Sequence, residues 1–397
     1  MKKILVLSAL AAVSTAFVAC SSNDDLVQQA PEVPEETVVG TPFTISTGAD
    51  TRATLYDAKA LDKSNSTTWV SDLKLYGKQG SNDPWMNSVI FHRDAYNADW
   101  APNRSADEAS LSTVNWPTAD KTTPTTFYAI TDNAIGTGTT AAIAGVSEWM
   151  STPGSFTYTQ PTATGYTWDT ETDPYEFDVV DKNYVDADNL TDVMVATTEK
   201  NEAATTSGTL PLEFKHLLSG LSIKVKFKSD DALSAGAAAE INAVMVRGLY
   251  TAGTYTFGTG WSGQSGDDMC YYKSFATPIP LVAEAEASTT LPVSLVNAGE
   301  WLVIPQTTTP WDETADTEHM PGAKAGRQMA YIALYIRDVS PGTDDTVPVY
   351  FPLDATFNAA KNKTITLELS LVRDIWLDSD TDGKADYQFE PSQTDGN

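Results

Sequence analysis

Leu221-Ser222-Ile223-Lys224-Val225-Lys226-Phe227-Lys228 alternates without a break. Ile223, Val225 and Phe227 fall on one face, and Lys224, Lys226 and Lys228 on the other. Successive side chains of extended backbone point to opposite sides, so this period of two marks a strand with one buried face and one wet face. Residues 364–372 repeat the pattern through Ile365, Leu367, Leu369 and Leu371. Shorter runs of the same kind lie at 72–77, 126–130, 191–196, 240–248, 253–257, 301–305, 331–337 and 347–351. Leucine at helical spacing is rare, and one helical turn near His216 is the most that the pattern predicts. Short strands at irregular intervals, with no helical repeats between them, predict an all-β antiparallel β-sandwich.

The 397 residues are enough for two domains of ordinary size. The polar, small-residue run 199–208 sets the boundary, giving 53–205 as the first sandwich and 206–375 as the second. Two long stretches of the first, 81–124 and 135–173, read as loops. They carry Trp85, Trp100, Trp116, Trp149 and Trp168. Rings in such loops serve either to stack on sugar faces or to anchor the loop by packing.

The net charge is −28, from 53 acidic and 25 basic residues that are interspersed. That balance excludes nucleic-acid binding and peripheral attachment to anionic lipid, both of which reward basic patches. The two cysteines, Cys20 and Cys270, leave no disulfide framework once Cys20 is used elsewhere, and His92, His216 and His319 show no metal-ligand spacing. There is no nucleophile elbow, phosphate loop or triad context, so the chain does not read as an enzyme.

The first 19 residues form an export signal. Met1-Lys2-Lys3 is basic, and residues 4–18 are apolar but too short to span a bilayer as a helix. Phe17-Val18-Ala19-Cys20 resembles a bacterial lipobox, in which the cysteine thiol is acylated with a fatty acid such as palmitate and becomes the new N-terminus. The acidic Ser21-Ser22-Asn23-Asp24-Asp25 resembles a surface-export signal of Gram-negative anaerobes, which implies a lipoprotein on the outer face of the outer membrane. Residues 28–36, rich in Pro and Glu, read as a tether. Thr41-Pro42-Phe43-Thr44-Ile45-Ser46-Thr47 is a short strand with Phe43 and Ile45 on one face. After it, Arg52 is the first basic residue since the signal, in a polar loop suited to an arginine-specific protease cutting between Arg52 and Ala53.

A lipobox, a short strand and a Thr51-Arg52-Ala53 junction resemble the fimbrillin family, the subunits of protease-activated pili. Phe214-Lys215-His216 within residues 212–218 is similar to a run common in that family. The resemblance implies two transthyretin-like sandwiches in tandem. It also implies removal of the Phe43/Ile45 strand after cleavage, and its replacement by a strand from another pilin subunit through donor-strand exchange. The donor candidate is the C-terminal extension 376–397, with Trp376, Tyr387 and Phe389 as its apolar residues. Inside it, Asp378, Asp380, Asp382 and Asp386 have the spacing of a calcium loop, although position 12 is Phe389 instead of Glu. Asp345-Thr346-Val347 resembles an O-glycosylation sequon centred on Thr346. Two functions follow as expectations. One is a structural fimbrial subunit contributing to adhesion. The other is a monomeric surface lipoprotein that binds a host or bacterial glycan through its loop tryptophans, or a non-polymerising tip or anchor.

Overall fold

The structure, a computed structural model, describes residues 42–49, 70–80, 86–95, 97–104, 113–116, 122–132, 146–147, 154–164, 183–186, 190, 192–227, 239–266, 269–280, 289–293, 300–311, 329–338 and 346–369. Its strands, in chain order, begin with β1 (Thr44–Ala49), β2 (Asp72–Gln79), β3 (Met86–His92), β4 (Ala101–Arg104) and β5 (Thr125–Asp132). There follow β6 (Val146–Ser147), β7 (Ser155–Thr159), β8 (Thr162–Thr164), β9 (Asn183–Val185), β10 (Met194–Lys200), β11 (Thr209–His216) and β12 (Ser219–Phe227). The remainder are β13 (Ala239–Arg247), β14 (Ala252–Thr256), β15 (Gly260–Ser265), β16 (Cys270–Pro280), β17 (Thr289–Thr290) and β18 (Trp301–Val303), then β19 (Gln306–Thr307), β20 (Tyr331–Asp338), β21 (Thr346–Pro352), β22 (Thr356–Phe357) and β23 (Asn362–Leu369).

The fold is all-β. A seven-stranded sheet runs β1-β11-β10-β5-β2-β3-β4, and a six-stranded sheet runs β21-β20-β13-β16-β9-β8. A third sheet is built on β12, flanked by β17 and β18 on one path and by β23. A fourth runs β15-β14-β7-β6. Most pairs are antiparallel, as the alternation predicts, but three are parallel: β1 with β11, β12 with β23, and β9 with β16. Period two reports which face a side chain takes. It does not report the direction of the neighbouring strand.

Two cores flank the seven-stranded sheet. On one face Leu73, Leu75, Phe91, Phe127, Leu210, Leu212 and Phe214 pack with Phe43, Ile45, Trp100 and Trp116. On the other, Ile130 and Val195 join a larger core with Ile223, Val225, Val244, Leu334, Phe351, Ile365 and Leu367. The outer face of the six-stranded sheet carries a third cluster around Met245, Tyr331, Tyr335 and Trp311.

Four local readings change. The polar run 199–208 joins two hydrogen-bonded neighbours of one sheet: Asn201 accepts from the Ala204 N–H and caps a single 3-10 turn, Glu202–Ala204, and Gly208 takes φ +79. A tight turn and a linker share the same composition, because both are built of small polar residues. Strand β11, beyond residue 206, therefore lies in the first sheet, and β7, before it, pairs with β14. Residues 81–124 contain β3 and β4, and residues 135–173 contain β6, β7 and β8. His216 ends a strand and is not in a helical turn. The lysines of β12 are half-buried instead of fully wet, and Lys226 pairs with Glu368 of β23.

Candidate functional site

The chain's first described strand closes one edge of the seven-stranded sheet. Thr44 faces Thr209, Ile45 faces Leu210, Thr47 faces Leu212 and Ala49 faces Phe214, all in parallel register. Ahead of the ladder, the Phe43 N–H donates to the Val114 carbonyl at 2.8 Å. Within the described residues β11 is the only strand that pairs with β1.

Alternation decides what this strand does. Thr44 and Ser46 are exposed, while Phe43 and Ile45 are 3% and 8% exposed. The Phe43 ring lies in a box of three others: Trp116 at 5.1 Å, Phe127 at 5.7 Å and Phe91 at 5.8 Å between centroids, all tilted as ring quadrupoles prefer. The box is fixed independently of β1, since the Trp116 Nε1–H donates to the Gly208 carbonyl at 2.8 Å and Trp116 meets Phe127 edge-on. Leu210, Leu212 and Phe214 of β11, all fully buried, form the floor beneath Ile45.

A second fixed group closes the slot. The Trp100 Nε1–H donates to the Thr47 hydroxyl at 3.3 Å. Behind Trp100, the guanidinium carbon of Arg93 stands 4.7 Å above the ring, and Arg93 Nε donates to the Val70 carbonyl at 2.7 Å. Arg93 is 1% exposed, so this cation is held by the ring and the carbonyl together. Sequence reading assigned no role to Arg93.

At the far end of β11, His216 Nδ1 and Asp192 Oδ2 are 2.6 Å apart, and both side chains are fully buried. Tyr158 is close enough that the Asp192 charge adds to burial in raising its hydroxyl pKa well above the usual value near 10. Burial likewise raises Tyr271, Tyr331 and Tyr335.

Of the residues singled out from sequence, the structure brings Phe43 and Ile45 together in one slot. Trp100 and Trp116, two of the five tryptophans considered for sugar stacking, are buried at 6% and 2% with their N–H groups engaged, so they act as anchors. Trp85, Trp149 and Trp168 lie outside the described residues, as do Cys20, Arg52, Ala53, Trp376, Asp378, Asp380, Asp382, Asp386, Tyr387 and Phe389. Thr346, at the start of β21, accepts from Asn242 Nδ2 at 3.1 Å. Among the described residues no group of three His, Cys, Asp or Glu side chains could hold a metal ion, and no helix is long and apolar enough to cross a membrane.

An all-β chain whose first described strand plugs a sheet edge with two buried apolar residues defines a class of layered β proteins with an apolar edge strand. Within that class the chain belongs to the fimbrillin-like family, whose model matches residues 51–383. The chain is similar to a fimbrial protein from Bacteroides vulgatus, at 14% identity and TM-score 0.46, covering 83% of this chain and 95% of that one. It is also similar to a fimbrial assembly protein from Parabacteroides distasonis, at 10% identity and TM-score 0.40, covering 83% and 92%. No curated protein matches the chain.

Proposed function

We propose that this chain is a structural subunit of a cell-surface fimbrium that contributes to adhesion and has no enzymatic role. It is exported with its signal, lipidated at Cys20 and held at the outer membrane. An arginine-specific protease cuts after Arg52. Strand β1 then leaves, and a strand from another pilin subunit takes its place by strand addition, in which main-chain bonds give strength and alternate side chains fill pockets.

The observation that carries this reading is the position of β1. It is an edge strand paired, among the described residues, with β11 alone, yet it fills a box of three rings with Phe43. Losing it would strip the Leu210, Leu212 and Phe214 face of its cover, and an apolar groove beside an unpaired strand edge is a template for another strand. Family membership supports the assembly role.

The test is to incubate the purified full chain with an arginine-specific protease. The reading expects one cut, between Arg52 and Ala53, followed by oligomers that survive detergent. A chain that stays monomeric after that cut contradicts it.

A further inference from the structure

We infer that the junction of the four sheets holds an ordered-water site, in which water bonds to Asp192 Oδ1, His216 Nε2 and the Tyr158 hydroxyl and joins them into one buried polar network.

The seven-stranded sheet supplies two of the three groups. His216 ends β11, and Asp192 lies two residues before β10. Their side chains meet through Nδ1 and Oδ2 at 2.6 Å, and beside them the Leu217 N–H donates to the Val193 carbonyl at 2.9 Å. Tyr158 comes from β7 of the fourth sheet. Its ring stands edge-on to Trp261 at 5.9 Å, and the Trp261 N–H donates to the Leu217 carbonyl at 3.3 Å. Trp261 thus ties Tyr158 to the residue that follows His216. The Asp192 charge reaches the Tyr158 hydroxyl and helps to raise its pKa.

Asp192, His216 and Tyr158 are 0%, 1% and 1% exposed. Asp192 Oδ1, His216 Nε2 and the Tyr158 hydroxyl nevertheless have no hydrogen-bond partner in the protein. An unmet polar group in a core is costly enough that nearly all are satisfied, by protein or by water. The three needs here are complementary. A carboxylate oxygen only accepts, a phenol donates, and a ring nitrogen takes either role according to its proton. Water is the small ligand that meets all three, because it donates to Oδ1, accepts from the hydroxyl and serves Nε2 either way. A metal ion fits less well, since the described residues offer no group of three His, Cys, Asp or Glu side chains.

The network continues into the other two sheets. The Tyr271 hydroxyl of β16 donates to Gln160 Oε1, directly after β7, and Gln160 Nε2 donates to the Leu302 carbonyl of β18 at 2.7 Å. Tyr158 and Tyr271 are near enough to influence each other's ionisation. The path therefore runs from β10 and β11 through β7 to β16 and β18. Apolar layers can slide with little change in burial. A satisfied polar network spanning them specifies a single arrangement, and the water is the link that joins the seven-stranded sheet to the rest.

Two measurements on the full chain test this: a crystal structure, and urea unfolding of Tyr158→Phe. The structure should show water at roughly 2.6–3.2 Å from Asp192 Oδ1, with the Tyr158 hydroxyl and His216 Nε2 bonded to it or to a second water in line. Tyr158→Phe keeps the ring and removes the hydroxyl. It should lower the urea midpoint by about 0.2–0.5 M, because a satisfied bond is lost and the water loses a partner. A hydroxyl that truly lacked a partner gives the opposite sign, since removing it relieves an unmet buried group. An unchanged or raised midpoint overturns the inference. So does density that scatters as a metal ion, or a structure in which another protein group closes on these atoms. Tyr271→Phe, whose hydroxyl already has a protein partner, is the control and should lower the midpoint in every case.

Discussion

Replacing Phe43 by Ala should loosen β1 far more than any change on its outer face. Phe43 is 3% exposed and its ring meets Trp116, Phe127 and Phe91. Truncating a buried Phe costs about 3–5 kcal/mol. An edge site can partly collapse and admit water, so the lower end applies, about 3 kcal/mol. Native-state hydrogen exchange on the β1 amides reads this directly, because a 3 kcal/mol loss lowers protection about a hundredfold in a two-state opening. The control is Thr44→Ala, which removes only the exposed Thr44–Thr209 hydroxyl contact at 2.7 Å and should change protection by a factor of a few. Equal protection in the two variants would refute the claim that Phe43 is the plug.

Four further outcomes follow. Asp192→Asn replaces the charged partner of buried His216 and should lower stability by about 2–4 kcal/mol, measured by urea unfolding, with exposed Glu213→Gln near neutral. Tyr158, Tyr271, Tyr331 and Tyr335 all have folded pKa values raised above the ordinary 10 by burial, so their contribution is complete below pH 10 and is lost as pH climbs through the higher folded values. Ultraviolet titration should therefore show a fraction of the 16 tyrosines ionising only when the chain unfolds in alkali. Gly248→Ala should prevent folding or cost several kcal/mol, since its φ is +79 and the added carbon would lie 2.3 Å from the Met329 carbonyl oxygen. Gly258→Ala, at the same φ but facing open space, should cost about 1 kcal/mol by thermal melting. Cys20→Ser should abolish incorporation of a palmitate analogue and release the chain from the membrane fraction of expressing cells.

Strand faces were legible in the sequence because burial writes a period of two into the chain. Phe43/Ile45, Ile223/Val225 and Ile365/Leu367 all fall where that period puts them. Partners were not legible. Nothing in the alternation of residues 41–47 says that the neighbour is β11, or that the pair is parallel, because pairing is decided by connections elsewhere in the chain. Strand β16 was missed because its exposed and half-buried residues carry little alternation: its partners on both sides, β13 and β9, hold it in place. The ring box was half visible. Trp116 and Phe127 stood out as large apolar residues, yet only the fold shows that they close on Phe43. The Trp100–Arg93 stack was invisible, since a buried arginine has no sequence signature.

The most direct measurement is the mass of the subunits within purified detergent-resistant oligomers. These subunits should begin at Ala53, with the fragment ending at Arg52 absent and the slot filled from a neighbour. Oligomers that keep the Phe43 strand in equal number to the chain would contradict strand exchange.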